Sequence, residues 1–330
     1  MSAFLSSKKK NTKNKLSSKN NSGSSILSRV KKLNFIYFLI ILIFVDILAA
    51  LLIAIFLIGL VINSVTVISL SPPGIKSLPY FFNRVTLPIS SYSYVVYEKD
   101  SRSIILGKNE NLRFTPASTT KIMTAIVSLE YYPLDKVLQV TDEYLVEGSK
   151  MKLIPGERIS VENLLYGMLL PSGNDAAHVL ADNYPGGING FIAAMNKKAK
   201  DLQLTNTHYI DPAGYEDDNF STAFDMARLT SYALQNPEFR RIVRTKSYTA
   251  VDESRINIHE LSNLNQLLSR SEVTGVKTGF TNEAGGVLVT SVDISGKTYV
   301  IVVLKSSDRF FDTQTIIEEV VKKVKFIKFN

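Results

Sequence analysis

The sequence predicts an α/β protein of the α+β kind, preceded by a single membrane span. Three observations carry this. After residue 90, strand-like runs lie at both ends with helical patterns between them, an order unlike that of a doubly wound sheet. Residues 35–62 form a long apolar run whose one charge is Asp46. The basic surplus sits almost wholly before that run. The 330 residues carry 38 Lys+Arg against 30 Asp+Glu, a net charge of +8. Nine of those basic groups, with Asp46 as the single acid, fall in residues 1–68, so 69–330 hold 29 of each sign and no net charge.

The elements follow in order. Residues 1–34 are rich in Lys, Ser and Asn and lack acids, a composition that buries no core and reads as a disordered basic tail. Residues 35–68 read as a transmembrane anchor, since about 20 residues cross a hydrocarbon core. A cleaved signal peptide has an apolar stretch of only about 7–15 residues. Placing the span at 47–68 puts Asp46 at the interface and avoids a cost of about 2.5–3.5 kcal/mol at mid-bilayer. The basic groups before the span then keep the tail in the cytoplasm and export everything after it. Residues 69–90, with Pro72, Pro73, Gly74, Pro79 and Pro88, read as an extracytoplasmic linker to a domain over 91–330.

Within that domain, 92–98 and 103–106 form a predicted hairpin, and 119–130, 161–170 and 175–183 three helices. Segments 285–292 and 298–304 are β-branched runs joined across Ser295-Gly296. Residues 316–326 read as a closing amphipathic helix, with Glu318/Lys322 and Glu319/Lys323 one turn apart. Its cationic side (Lys322, Lys323, Lys325, Lys328) reads as a solvated face.

Hydrophobic residues make up 45% of the chain, enough for a packed core, which excludes global disorder. Without cysteine there is no disulfide framework, thiolate metal site or Cys nucleophile. His178, His208 and His259 have no metal-ligand spacing and read as structural. Asp142, Asp182, Asp211, Asp217 and Asp218 match no Ca²⁺ loop pattern and read as solvated loop and cap residues. A nucleic-acid partner would rest on the tail alone, so none is expected.

Serine becomes a nucleophile when a base takes its proton, and lysine is such a base once its pKa is lowered. Ser-x-x-Lys on a helix sets the two side chains one turn apart. The pattern occurs at Ser6, Ser7, Ser28, Ser118 and Ser149, so alone it means little. Ser118 differs, because residues 114–121 lead from an extended segment into a helix whose N-terminus favours an oxyanion. Ser118 as a plain helix cap is the competing reading. A second motif, Ser172-Gly173-Asn174, lies between two predicted helices and can place a hydroxyl and an amide in a cleft. A third, Lys277-Thr278-Gly279, follows a strand-like run, and Gly279 admits the close approach of a ligand backbone.

Taken together and in this order, the motifs are those of β-lactamases and penicillin-binding proteins. The chain resembles the low-molecular-weight penicillin-binding protein family of serine-type D-alanyl-D-alanine carboxypeptidases, over about 92–304. Further matches are 116–123, Gly156-Glu157, Ser221-Thr222-Ala223-x-Asp225 and 277–285. The resemblance implies a transpeptidase-like fold, an antiparallel sheet flanked by helices with a helical subdomain.

For the site, the resemblance implies that Ser118 attacks the terminal D-Ala-D-Ala bond of a peptidoglycan stem peptide. Lys121 acts as base, its pKa lowered partly by Lys277, and Ser172 relays the proton. Asn174 binds the substrate amide and helps fix Lys121, while Lys277 and Thr278 bind the terminal carboxylate. The N–H groups of Ser118 and Phe280, the latter following Gly279, form the oxyanion hole. β-Lactams acylate the same serine, and neither metal nor organic cofactor is implied. The chain departs from the family at Asn219, where His is common, and at Gly173, where Ala is commoner. A class A β-lactamase is disfavoured because no glutamate lies between Glu162 and Glu216 to activate the deacylating water. Endopeptidase action on cross-linked wall, or a penicillin-binding sensor without turnover, are the alternatives.

Overall fold

The computed structural model describes residues 22–64, 77–81, 86–141 and 147–328. The chain divides into two compact units, Met1–Ser71 and Pro72–Asn330. In the first, α1 (Ser22–Ser64) is a continuous helix. Its 24-residue segment Lys31–Ala54, which contains an 18-residue stretch of mean hydropathy 3.0, is long and apolar enough to cross a membrane. The basic tail up to residue 21 lies outside the described residues, as does the end of the expected 47–68 register.

The second unit begins with β1 (Ser77–Tyr80), β2 (Ser93–Glu98) and β3 (Ser103–Lys108). A 3₁₀ turn, Ala117–Thr120, leads into α2 (Lys121–Tyr131), followed by β4 (Val137–Gln139) and β5 (Arg158–Ser160). Then come α3 (Val161–Leu169), α4 (Asn174–Asp182), α5 (Gly187–Asp201), α6 (Ala223–Ala233) and α7 (Pro237–Arg244). The chain continues through β6 (Ser247–Val251), β7 (Ile258–Ser262), β8 (Val273–Thr281), β9 (Gly285–Ile294) and β10 (Lys297–Ser306). It closes with α8 (Arg309–Glu319) and β11 (Lys325–Lys328).

Five strands form the main sheet in the order β3-β2-β10-β9-β8, antiparallel at every step. The two expected hairpins thus join edge to edge through β2 and β10. Ser295 and Gly296, at φ +54° and +72°, make the tight β9–β10 turn that the right-handed twist of paired strands favours. Side chains alternate across the sheet with a period of two. Val300, Val302 and Leu304 enter a core shared with α2 to α6, whereas Tyr299, Ile301 and Val303 enter a second core beneath α8. Helices cover both faces, which is why β9 and β10 read as nearly continuous apolar runs.

Two expectations about the ends are corrected. The closing helix starts at Arg309 and stops at Glu319, and Lys325–Lys328 are a strand, so their lysines form no helical face. Within the supposed linker, β1 pairs antiparallel with β11, Ser77 opposite Lys328 and Tyr80 opposite Lys325. Ser90 gives both its N–H (3.0 Å) and its hydroxyl (2.8 Å) to the buried Asp312 carboxylate on α8. Residues 77–80 and 86–90 therefore belong to the folded domain, because their backbone and hydroxyl groups find internal partners.

Candidate active site

Phe114 and Ser221 exchange backbone hydrogen bonds at 2.8 and 3.0 Å, which aligns the strand-like approach to Ser118. Thr222 next to it caps α6 by accepting from Asp225 N (3.0 Å). Asp225 then ties back to Asn206 N and Thr207 Oγ1, both at 2.9 Å. The matched stretch Ser221–Asp225 is thus a brace for the first motif. Ala117 is buried at φ +48°, a backbone conformation a residue with Cβ adopts at a cost, and it swings the chain into the 3₁₀ turn. Ser118 makes no side-chain cap there. Its Oγ instead faces Lys121 Nζ at 3.1 Å.

Lys121 is fully buried. Its Nζ donates to Asn174 Oδ1 and to the Ala213 carbonyl, each at 2.6 Å, besides its contact with Ser118. Burial drives its pKa down to about 7, opposed by the negative charges of Asp211 and Asp175. Desolvation is therefore the leading cause of the shift, and the repulsion between Lys121 and Lys277 lowers Lys277 as well. Deprotonated, the amine keeps two protons for its two carbonyl-type acceptors, and its lone pair is left pointing at Ser118 Oγ.

The second motif occupies the turn between α3 and α4. Ser172 is buried at φ +69°, and Gly173 N donates to Gly167 O (2.9 Å). Asn174 N reaches Ser149 O at 2.7 Å, and its Nδ2 reaches Glu147 O at 2.5 Å. Its remaining oxygen is thereby committed to Lys121. Tyr215 adds a hydroxyl bond to the Glu147 carboxylate.

Lys277, Thr278, Gly279 and Phe280 lie on β8, the sheet's edge strand. Lys277 is buried, donates to Thr278 O at 2.9 Å, and is held well below the ordinary lysine value by burial, then by Lys121 and Arg309. Phe280 is 62% exposed. A Cβ on Gly279 would stand 3.1 Å from Ser118 N and from Ala117 Cβ. The chain's own first motif makes a close approach at this glycine. It sets the β8 backbone against the N–H of Ser118.

Several contributors escaped the sequence reading. The loop after Asp211 supplies the Ala213 carbonyl and is wound around the Asp211 carboxylate, which accepts from Ala213 N and Gly214 N at 2.6 Å and from Glu216 N at 2.9 Å. Buried Asn219 seals it, donating to Asp211 and Glu216 O (2.7 Å) and accepting from Ile210 N (3.0 Å). Asp211 is therefore a buried loop anchor and not a solvated residue. Gly214, at φ +74°, is obligatory, because a Cβ there would lie 1.9 Å from Ala117 O. Arg309, half-buried at the start of α8, is the other charge close to Lys277. Of the three histidines, His208 bridges to Phe220 through the backbone, His178 is pushed down by burial on α4, and buried His259 lies 2.7 Å from Glu157 Oε1. Asp142 lies outside the described residues.

An antiparallel sheet whose edge strand carries Lys-Thr-Gly beside a Ser–Lys pair at a helix start defines the active-site-serine, penicillin-interacting class. A family profile for D-alanyl-D-alanine carboxypeptidases matches residues 82–308, and the chain belongs to that family. It is 34% identical over 250 residues to a D-alanyl-D-alanine endopeptidase of Pseudomonas aeruginosa, covering 74% of this chain and 79% of that one. It is 38% identical over 219 residues to a D-alanyl-D-alanine carboxypeptidase of a Streptomyces species, covering 61% and 75%. The crystal structure of the Streptomyces K15 DD-transpeptidase superposes with TM-score 0.66 at 35% identity, over 71% of this chain and 98% of that one.

Proposed function

We propose that the chain removes the terminal D-alanine from peptidoglycan stem peptides through an acyl-serine at Ser118. The observation that carries this is the Lys121–Ser118 contact of 3.1 Å, with a lysine whose pKa is about 7. Neutral Lys121 takes the Ser118 proton as Oγ attacks the carbonyl of the D-Ala-D-Ala bond. Negative charge then develops on the carbonyl oxygen between the N–H groups of Ser118 and Phe280. Ser172 passes the proton to the leaving amine, and Asn174 holds both Lys121 and the substrate amide. Lys277, with Thr278 and Arg309 beside it, binds the terminal carboxylate. Water completes the cycle by hydrolysing the ester, while β-lactams acylate Ser118 and leave slowly.

A second reading, endopeptidase action on a cross-linked peptide, is favoured by the name of the Pseudomonas relative. It uses the same residues on a longer leaving group. We further infer that α1 anchors the protein in the cell membrane, with the basic tail inside and the catalytic domain outside. D-alanine release from a synthetic stem pentapeptide tests the main reading. Release from pentapeptide, with cross-linked dimers left intact, is expected. Cleavage of dimers alone would transfer the assignment to the endopeptidase, and penicillin labelling without any turnover would leave only a sensor.

A further inference from the structure

Beside the second motif lies a groove of about 480 Å³ whose lining includes Lys150, Lys152, Ile154, Pro171, Ile256 and Ile258. It adjoins the catalytic residues through the chain itself. Pro171 precedes Ser172, and Ser149, one residue before Lys150, accepts the Asn174 N–H at 2.7 Å. Two of its properties ask for a ligand. Lys150 and Lys152 are exposed, and neither has an ion-pair partner among the described residues. The isoleucines are exposed too: Ile154 by 51%, Ile258 by 61% and Ile256 by 80%.

The lysine segment is firmly held. Asp175, adjoining Asn174, accepts from Met151 N and Lys152 N at 2.9 Å and from Leu153 N at 3.1 Å. Met151 O in turn meets the buried His259 Nδ1 at 3.0 Å. Lys152 sits at φ +67°, a conformation found mostly where surrounding contacts over-determine the backbone. One acid shares the lining, Glu260, and it already accepts from Thr249 Oγ1 at 3.0 Å. Residues 69–330 carry no net charge, so recognition of an anion must be local.

We propose that this groove is an acyl-donor subsite for the part of the peptide preceding the scissile bond, with Lys150 and Lys152 recognising a carboxylate there and the isoleucines its aliphatic carbons. The proposal rests on the carboxypeptidase reading and deepens it. Lys277 serves the carboxylate on the leaving side; Lys150 and Lys152 serve one on the acyl side.

The test uses two synthetic peptides ending in D-Ala-D-Ala, identical except that a residue before the scissile bond carries a free carboxylate in one and its primary amide in the other. In the full-length protein, kcat/KM favours the acid peptide by about three- to ten-fold, and the preference shrinks as salt is added. In Lys150→Gln/Lys152→Gln the acid-to-amide ratio falls to about one. Lys150→Gln alone, which leaves the positive-φ residue untouched, lowers the ratio part of the way, and Lys150→Arg restores it. A wild-type ratio near one, or a ratio unmoved by the double substitution, overturns the subsite. If neither peptide yields D-alanine, the carboxypeptidase reading fails separately. The groove is then read by competition against fluorescent-penicillin labelling of Ser118. Stronger protection by the acid peptide that disappears in the double variant supports the proposal, and equal protection by both peptides overturns it.

Discussion

Two buried lysines sit in one site, and their surroundings differ. Lys121 at the start of α2 has acceptors from three separate segments: Ser118 on its own turn, Asn174 on α4 and the Ala213 carbonyl. Lys277 on β8 has the carbonyl of its neighbour Thr278, and the charges nearest it are the cations Lys121 and Arg309. Burying an ammonium without a counter-charge costs several kcal/mol. Lys121 meets that cost by giving up its proton near neutral pH, while its partners aim the lone pair. Lys277 is likewise held well below the ordinary lysine value, by burial and then by the repulsion of Lys121 and Arg309, and an arriving carboxylate would favour its charged form. One surrounding suits the base proposed above, the other the proposed carboxylate receptor.

Breaking the base side produces the largest effects. Ser118→Ala is expected to lower D-alanine release more than about 10,000-fold and to abolish penicillin labelling. Lys121→Ala lowers acylation by about 100- to 10,000-fold with the fold intact, read by stopped-flow labelling. On the receptor side, Lys277→Ala should cost about 10- to 100-fold in kcat/KM, mostly through KM, with partial rescue by Lys277→Arg. Equal losses in kcat at Lys121 and Lys277 would erase the distinction drawn between them.

The pH profile sharpens it further. Below about 7, kcat/KM should fall roughly tenfold per pH unit as Lys121 is protonated. The sign for stability follows from the same shift. Folded Lys121 loses its proton near 7, whereas the unfolded chain holds it to about 10.5, so between these values the unfolded state binds more protons. Stability therefore rises with pH there, by about 1.4 kcal/mol per unit from this group. Urea denaturation at pH 7 and pH 9 should show this slope reduced in Lys121→Met. The smallest effect belongs to the support behind Lys121. Asn219→Ala leaves buried Asp211 and two backbone groups, Ile210 N and Glu216 O, short of partners, at about 1–3 kcal/mol of stability. Activity should drop only as far as the Ala213 carbonyl moves, which a shifted pH midpoint would report.

Legibility followed the range of each interaction. The hairpins at 93–108 and 285–306 and the helices around 121–131, 161–169 and 174–182 were readable because period and turn chemistry are local. The regions forming α5, α6, α7 and the β6–β7 hairpin carried no assignment, their short amphipathic patterns being broken by polar residues that pair across the fold. Ile316–Ile317 were seen as helical, but the helix was placed too late, since Asp308, which caps it by accepting from Phe311 N at 3.0 Å, was not recognised as a start signal. Among site residues, Ser118, Lys121, Ser172, Asn174 and the Lys277–Phe280 strand were legible as motifs. Ala213 was not, because it acts through a carbonyl that every residue possesses. Asn219 registered only as a departure from the family pattern, with no hint of the buried Asp211 it supports.

The sequence by itself determined the apolar span, the placing of the basic surplus before it, the α+β order of elements and the three motifs, all properties of residues near one another in the chain. Tertiary structure alone decided what the motifs do to each other. It turned Gly279 into the contact point for Ser118, enclosed Lys121 until burial lowered its pKa, and left Lys277 among cations. Those outcomes depend on desolvation and on acceptors drawn from segments as much as 92 residues apart, and neither is written in local spacing.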